Sequence, residues 1–387
     1  MFKYLFKRDT LFATLAVFLV MGMFAFLPIN THFLDPIHLA LSDFDYNDLA
    51  YSKMDKNKDT PTDTNIVIVN IGYGNRQDIA AMIGKVAAQQ PKAIGVDVLF
   101  NEKKDPVGDS LLLKLFSTNA KLVTAFNYTA TNNKGYFYTQ SINKGYANFV
   151  GEEEGVIRHF TPHLEEENLS AFAAQVVKQA DPESYQALIK RNKLTETINY
   201  TRKADKYVVI NGMDLINGKA DSSLFANKIV LVGYVASTIN DVEDKHFTPM
   251  NEKYTGKSLP DMNGIFIHAN IISMIQSHQY IHHLPAWLMW AIAFLLCWLH
   301  MALFIKDYLE NHIWFHLIAK IAQIISAVFF VYLGLLSFHQ FNTQMNMTAT
   351  LAAIILAVDV LYFYEAFAIW LHKKKGFKTI FTHGKHN

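Results

Sequence analysis

The sequence predicts an α/β protein held in a membrane: a mixed, mostly parallel sheet with flanking helices on the periplasmic or extracellular side, plus four transmembrane helices, one amino-terminal and three carboxyl-terminal. Three observations carry this. Apolar runs long enough to cross a bilayer sit at the two ends of the chain. Between them, short β-branched runs alternate with stretches whose apolar residues recur at helical spacing, which is the pattern of a parallel sheet with crossover helices. The run Lys228 to Val235 is apolar without interruption, as a strand buried on both faces requires, and an acidic loop and a helix starting near Gly264 follow it.

In chain order, Lys3, Lys7 and Arg8 precede an apolar run from Leu11 to Leu27 that ends at Pro28. The exit MGMFAFLPIN has no Ala-x-Ala-like cleavage site, so this run is expected to remain as an anchor with its amino end in the cytoplasm. Asp35 to Asp59 reads as a helix leaving the membrane and then a solvated linker. Strands are expected at Ile66 to Ile71, Ala93 to Phe100 and Lys121 to Tyr128, with helices at Gln77 to Gln89 and Ser110 to Phe116 between them. Gly145 to Leu164 suggests a hairpin or meander. Helices at Leu169 to Gln179 and Tyr185 to Arg191 and short strands at Thr195 to Tyr200 and Lys206 to Ile210 complete the approach to the central strand.

The runs Pro285 to Ile305, Ile313 to Phe338 and Thr348 to Leu371 each suffice to span a bilayer. Lys306 falls in the first connecting loop, the second loop has no Lys or Arg, and Lys373, Lys374, Lys375 and Lys378 follow the last span. The positive-inside rule then puts both termini in the cytoplasm of a bacterial inner membrane and the large domain outside it. Trp287, Trp290, Trp370 and Tyr308 lie where an interfacial aromatic belt belongs. The expected parts are an anchor at 1–28, a membrane-proximal helix and linker at 29–65, a sensor domain at 66–283, a three-helix membrane region at 284–372 and a basic tail at 373–387.

Composition narrows function. Lys and Arg number 35 against 34 Asp and Glu, a balance that argues against a nucleic-acid partner held by bulk charge. One cysteine, Cys297, excludes a disulfide framework and a thiolate metal site. The glycines of VNIGYGN lack the third glycine of a dinucleotide loop, and no GxSxG motif marks a hydrolase nucleophile. The chain therefore reads as non-catalytic, without a cofactor.

Several of these segments together resemble the second type of CHASE domain, an extracellular sensory domain associated with cyclases and histidine kinases. The resemblance rests on GVIRHF from Gly155, AIGVDVLF with Asp97, KIVLVGYVAST followed by Asp241 and Thr248-Pro249, and GIFIHANIISMI from Gly264. It implies an unknown small-molecule ligand, and Asp97, Arg158, Asp241, His268 and Asn270 are the candidate ligand-binding residues. Asp97, Asp241 and His268 are expected to converge at the carboxyl edge of the sheet as a small-molecule or ion site, with the amino end of the Gly264 helix offering backbone donors to an anion. The alternative is that Asp241 and Asn270 satisfy backbone groups while His268 is a core residue. Two departures from the family stand out. Its acidic pair after the first strand is missing, with only Arg76 in a comparable place, and the chain shows no HRD, DFG, Walker or cyclase-length segment, so the output is expected from another chain.

The spans hold polar groups of their own. His316, Lys320 and Gln323 form an i, i+4, i+7 stripe. Lys320 and Glu365 have similar depths, about 10 and about 9 Å from the cytoplasmic end at 1.5 Å per residue, so a contact between them is expected, with Lys320 reaching out to the headgroups as the alternative. Asp359 lies about 16 to 18 Å from either end of its span and is expected to face protein or water. His32, His38, His278, His282, His283 and His339 gather at the outer membrane surface, most simply as interfacial residues. The expected partners are membrane lipid and one or more proteins engaging the spans or the external domain. Two functions remain open: a sensory or interaction protein that relays its state to a separate protein, and an accessory subunit of a multi-protein membrane complex.

Overall fold

The computed structural model describes residues 1–26, 45, 47–54, 56–128, 135–150, 155–238, 240–252, 259–311 and 313–383. In chain order its main elements are α1 (Arg8–Phe26), β1 (Asp63–Asn70), α2 (Arg76–Ala88), β2 (Ala93–Asp97), α3 (Pro106–Thr118), β3 (Leu122–Phe126), β4 (Asn143–Tyr146), α4 (Phe172–Ala180), α5 (Pro182–Lys190), β5 (Tyr207–Asn211), β6 (Ile229–Gly233), α6 (Gly264–Ser277), α7 (Ala286–Glu310), α8 (Phe315–Phe341) and α9 (Thr348–Lys375). The chain divides into two compact units, residues 38–281 and residues 1–37 with 282–387.

The unit of residues 38–281 is built on a six-stranded sheet of order β4-β3-β2-β6-β1-β5, in which every neighbouring pair is parallel. β6 is buried along its whole length and lies between β1 and β2. Its apolar run is explained by that position, since a central strand in a parallel sheet is covered on both faces. On one face, Val67, Val69, Ile94, Val96, Val230 and Val232 pack with Ile79, Met82 and Ile83 of α2 and Leu112 and Phe116 of α3. On the other face, α4 and α6 pack together and α4 lies across β2, β3 and β4.

Local chemistry sets the helix starts. Asn75 caps α2, accepting from the Gln77 and Asp78 amides while Asp78 accepts from the Asn75 amide, a reciprocal capping box. The glycine-rich VNIGYGN is thus a turn, with Gly72 at φ +52°, that ends in a cap. Arg76, the residue nearest the family's missing motif, pairs with Asp109 of α3 and donates to the Glu102 carbonyl. α3 begins with Asp105 as cap and Pro106 in the first turn.

Of the expected hairpin or meander at Gly145 to Leu164, one antiparallel bridge forms, between Val150 and His159, and the first residues of the segment do not take part in it. Asn143–Tyr146 is instead the outer parallel strand of the main sheet, while His159–Phe160 pairs antiparallel with Glu196–Thr197 and His163–Leu164 with Leu169–Ser170. At Gly145 a Cβ would stand 2.5 Å from Phe172 Cα. Only glycine lets this strand approach α4 so closely. The segment before the sheet is described only in part: residues 48–52 form a short helix, whereas residues 27–44, with His32 and His38, lie outside the described residues.

In the other unit, α1, α7, α8 and α9 are each long and apolar enough to cross a membrane. Here α9 packs against α1, α7 and α8, with Ala13, Cys297, Ala353, Ala357 and Ala368 among the buried residues at the seams. Small side chains let helices approach in the absence of a hydrophobic drive between them. α7 runs to Glu310, so Lys306 lies within the helix and not in a loop. His282–His283 pairs with Thr343–Gln344 as two short parallel strands.

Candidate functional site

The site begins with register. Asn70, Gly233 and Asp97 stand in one row across β1, β6 and β2 at the carboxyl edge of the sheet. Asn70 fixes the turn beyond: its carbonyl oxygen accepts from the Gly72 and Val235 amides and its amide donates to the Val235 carbonyl. Gly233 leaves the space that Asp97 and Ile265 occupy, since a Cβ there would stand 2.8 Å from Ile265 Cδ1 and 3.2 Å from Asp97 Cβ. Asp97 therefore projects from the end of its strand toward the first turns of α6.

His268, one turn into α6, places Nε2 4.0 Å from Asp97 Oδ1, too far for a hydrogen bond. Its ring is held between Phe149 at 4.7 Å and Phe172 at 5.0 Å, and its Nδ1 is buried without a hydrogen-bond partner. Burial, helped by His246, lowers the His268 pKa to about 3. Burial, helped by the charge of Asp244, raises the Asp97 pKa to about 8. At neutral pH the close pair is thus a neutral imidazole beside a largely protonated carboxyl group, not an ion pair.

Both side chains line a cavity of about 290 Å³, together with Asn127, Asn148, Phe149, Tyr234, Asp244 and His246 among others. Asp244 sits at φ +54° in the loop before α6, accepts the Gly264 amide on its carbonyl and has a carboxylate oxygen 3.9 Å from His246 Nε2. This loop is set by Asn263, which donates to the Glu243 carbonyl and accepts from the Ala236 amide.

The other candidates stand elsewhere. The Asp241 carboxylate accepts from the Tyr234 hydroxyl and from the Ser237 and Glu243 amides, and these bonds, the Tyr234 one foremost, hold its pKa below the usual carboxylate range. It organises the loop and does not line the cavity. Arg158 grips the buried Asp48, with Nη2 2.5 Å from Oδ2. Asn270, fully buried, accepts from the Thr201 and Arg202 amides and donates to the Arg202 and Phe266 carbonyls, so its side chain is spent on backbone groups. Asp244, His246 and Phe149 were not among the residues the sequence singled out. In DVEDKH three acidic residues stand within four positions, and spacing alone does not choose among them.

Among the membrane residues, His316 stacks on Tyr362 and is hydrogen-bonded to it, and Gln323 donates to the Ile354 and Ile355 carbonyls, so both meet α9. Lys320 and Glu365 do not pair. Glu365 accepts from Tyr308 of α7 at 2.6 Å, and Lys320 is exposed. Equal depth does not set rotation about the helix axis, and that rotation turns Lys320 outward. Asp359 is also exposed, and neither side chain makes a hydrogen bond or ion pair with the described residues. Asp9, not among the candidates above, accepts from the Tyr364 hydroxyl, the Thr379 hydroxyl and the Ile380 amide.

With this geometry in view, the family model of the CHASE2 domain matches residues 16–304, which is 289 of 387 residues. The chain belongs to the CHASE2 domain family. The CHASE2 domain is a sensory extracellular type found with cyclases and kinases, and its match here takes in the whole sheet, the cavity and parts of α1 and α7. No curated protein and no solved structure matches the chain.

Proposed function

We propose that this protein is a sensor whose α/β domain, outside the cytoplasm of a bacterial inner membrane, binds a small molecule in the cavity at the carboxyl edge of the sheet. Its occupancy is passed through the four helices to a separate protein, and the chain itself catalyses nothing. The observation that carries this reading is the cavity wall. Asp97 accepts no hydrogen bond from the described residues, and His268 keeps a buried nitrogen unpartnered beside it. Native structures rarely leave buried polar groups unsatisfied unless something else supplies the partner. The cavity lies where open α/β sheets bind ligands, beyond the carboxyl ends of strands at the point where the winding reverses.

The test is thermal unfolding of dialysed full-length protein against fractions of bacterial culture medium. A fraction that stabilises the wild type and not Leu99→Trp, a substitution that fills the cavity mouth, supports the reading. Equal stabilisation of both proteins by every active fraction would sink it.

An accessory-subunit role is favoured by a different observation, the outward-facing Lys320 and Asp359 on adjacent helices. Stable recovery of other subunits with the tagged protein in mild detergent, with no ligand effect on Leu99-intact protein, would select that role.

A further inference from the structure

The cavity at the ends of β2 and β6 is lined by two carboxyl groups. Asp97 and Asp244 both line it, and no Lys or Arg does. The groups facing Asp97 are Asp244 and His246 from the loop before α6, His268 from α6 and Tyr234 after β6. His268 is kept uncharged by burial, and Asp244 repels the carboxylate. The Asp97 side chain is 14% exposed, and no described residue donates a hydrogen bond to it. A carboxylate placed this way lacks donors, and a ligand that brings them gains both the hydrogen bonds and the Coulomb attraction.

The surroundings choose between kinds of cation. No group of three or more His, Cys, Asp and Glu side chains among the described residues is arranged to hold a metal ion. The cavity of about 290 Å³ has room for an organic molecule, and the rings of Phe149 and Tyr234 line it. Aromatic faces attract organic cations as well as apolar chains.

We propose that the cavity takes a small organic cation, an amine or guanidinium compound, whose N–H groups bond Asp97 and whose positive charge is shared with Asp244. This deepens the ligand-sensor reading and rests on it. Binding requires the ionised form of Asp97, so a proton leaves the carboxyl group as the cation enters. Affinity then rises about tenfold per pH unit on the acid side of the carboxyl's pKa and levels off above about 8, where Asp97 is already ionised. A neutral ligand accepting from the protonated Asp97 gives the opposite dependence, flat in acid and falling above about 8.

The experiment measures binding of agmatine, butylamine, 1-butanol and butyrate to full-length protein in nanodiscs from pH 6 to 9. Both amines stay protonated in this range. The expected result is binding of the two cations with the rising pH profile, at least tenfold weaker in Asp97→Asn and several-fold weaker in Asp244→Asn. Since Asp97→Asn replaces a carboxyl group that is already largely protonated at neutral pH with a neutral amide of the same shape, the variant is expected to fold, and the Asp244→Asn result stands as a second, independent readout at an exposed position. Binding of butanol or butyrate as tight as that of butylamine, blocked by Leu99→Trp, overturns the cation while leaving the ligand cavity standing. Binding of no probe by the wild type overturns the cation proposal, and an unselective response of wild type and Leu99→Trp to medium fractions removes the ligand-sensor reading itself.

Discussion

Asp97 carries a stability signature as well as a binding one. In the unfolded chain its carboxyl group titrates near 3.8, and in the folded protein near 8. Between those values the folded state keeps a proton that the unfolded state releases, so stability falls as pH rises through that window and levels off above it. Asp97→Asn removes this dependence. Its unfolding temperature should match the wild type near pH 4 and exceed it by a margin that grows up to about pH 8 and then levels off, as read by thermal unfolding in nanodiscs. A wild-type profile parallel to the variant's would show that Asp97 ionises freely. Asn270 makes the contrast. Its four hydrogen bonds hold backbone groups of Thr201, Arg202 and Phe266, so Asn270→Ala leaves buried donors without partners and should cost about 3 kcal/mol. A change below about 1 kcal/mol would show that water replaces the amide.

At the scale of elements, two glycines predict opposite outcomes. A methyl group at Gly145 meets the backbone of α4, which cannot move aside as a side-chain tip can, so Gly145→Ala should destabilise by about 3 kcal/mol, and chemical denaturation would report it. Gly84, inside α2, has nothing within 4 Å of its added Cβ, and Gly84→Ala should stabilise by about 1 kcal/mol through helix propensity alone. The difference also explains what the sequence could disclose. β1, β2 and β6 are legible because a central parallel strand needs an apolar run, and Asp97 and His268 are legible because Asp97 closes β2 and His268 lies one turn into the helix that follows β6. β4 reads Asn-Lys-Gly-Tyr, four residues whose strand state comes from pairing with β3 and from contact with α4, neither of which leaves a periodic mark. Asp244, at a positive φ, lines the cavity, while Tyr234 and two amides hold the Asp241 carboxylate in the loop. The Lys320 to Glu365 pairing failed for a similar reason. Depth follows from counting residues, whereas the partner of Glu365 is chosen by helix packing, which brings Tyr308 to it.

For the whole molecule, the proposed orientation makes a direct prediction. Lys193, whose side chain is 36% exposed, should react with a membrane-impermeant amine reagent on intact spheroplasts, and Lys373, just past the last buried turns of α9, should react only after permeabilisation. The reverse pattern would invert the topology and remove the case for external sensing.

The spans pose the final question, because they settle some of their polar groups and leave others outside. Asp9, Gln323 and Glu365 each find a hydrogen-bond partner within the bundle. Asp359 does not: it is exposed on α9 between Ile355 and Phe363, two large exposed apolar residues one turn away on either side. A carboxyl group facing hydrocarbon costs several kcal/mol, and burial against another protein's polar group relieves that cost. A photo-crosslinking side chain at position 359 should therefore capture protein in cells, while one at Phe329, which is exposed on α8, should capture lipid. Asp359→Leu should keep the protein's abundance and thermal stability while lowering recovery of the crosslinked partner at least tenfold when the photoprobe is moved to position 355. Lipid adducts alone at 359, with Asp359→Leu silent in every assay, would mean that any link to a separate protein runs through another surface.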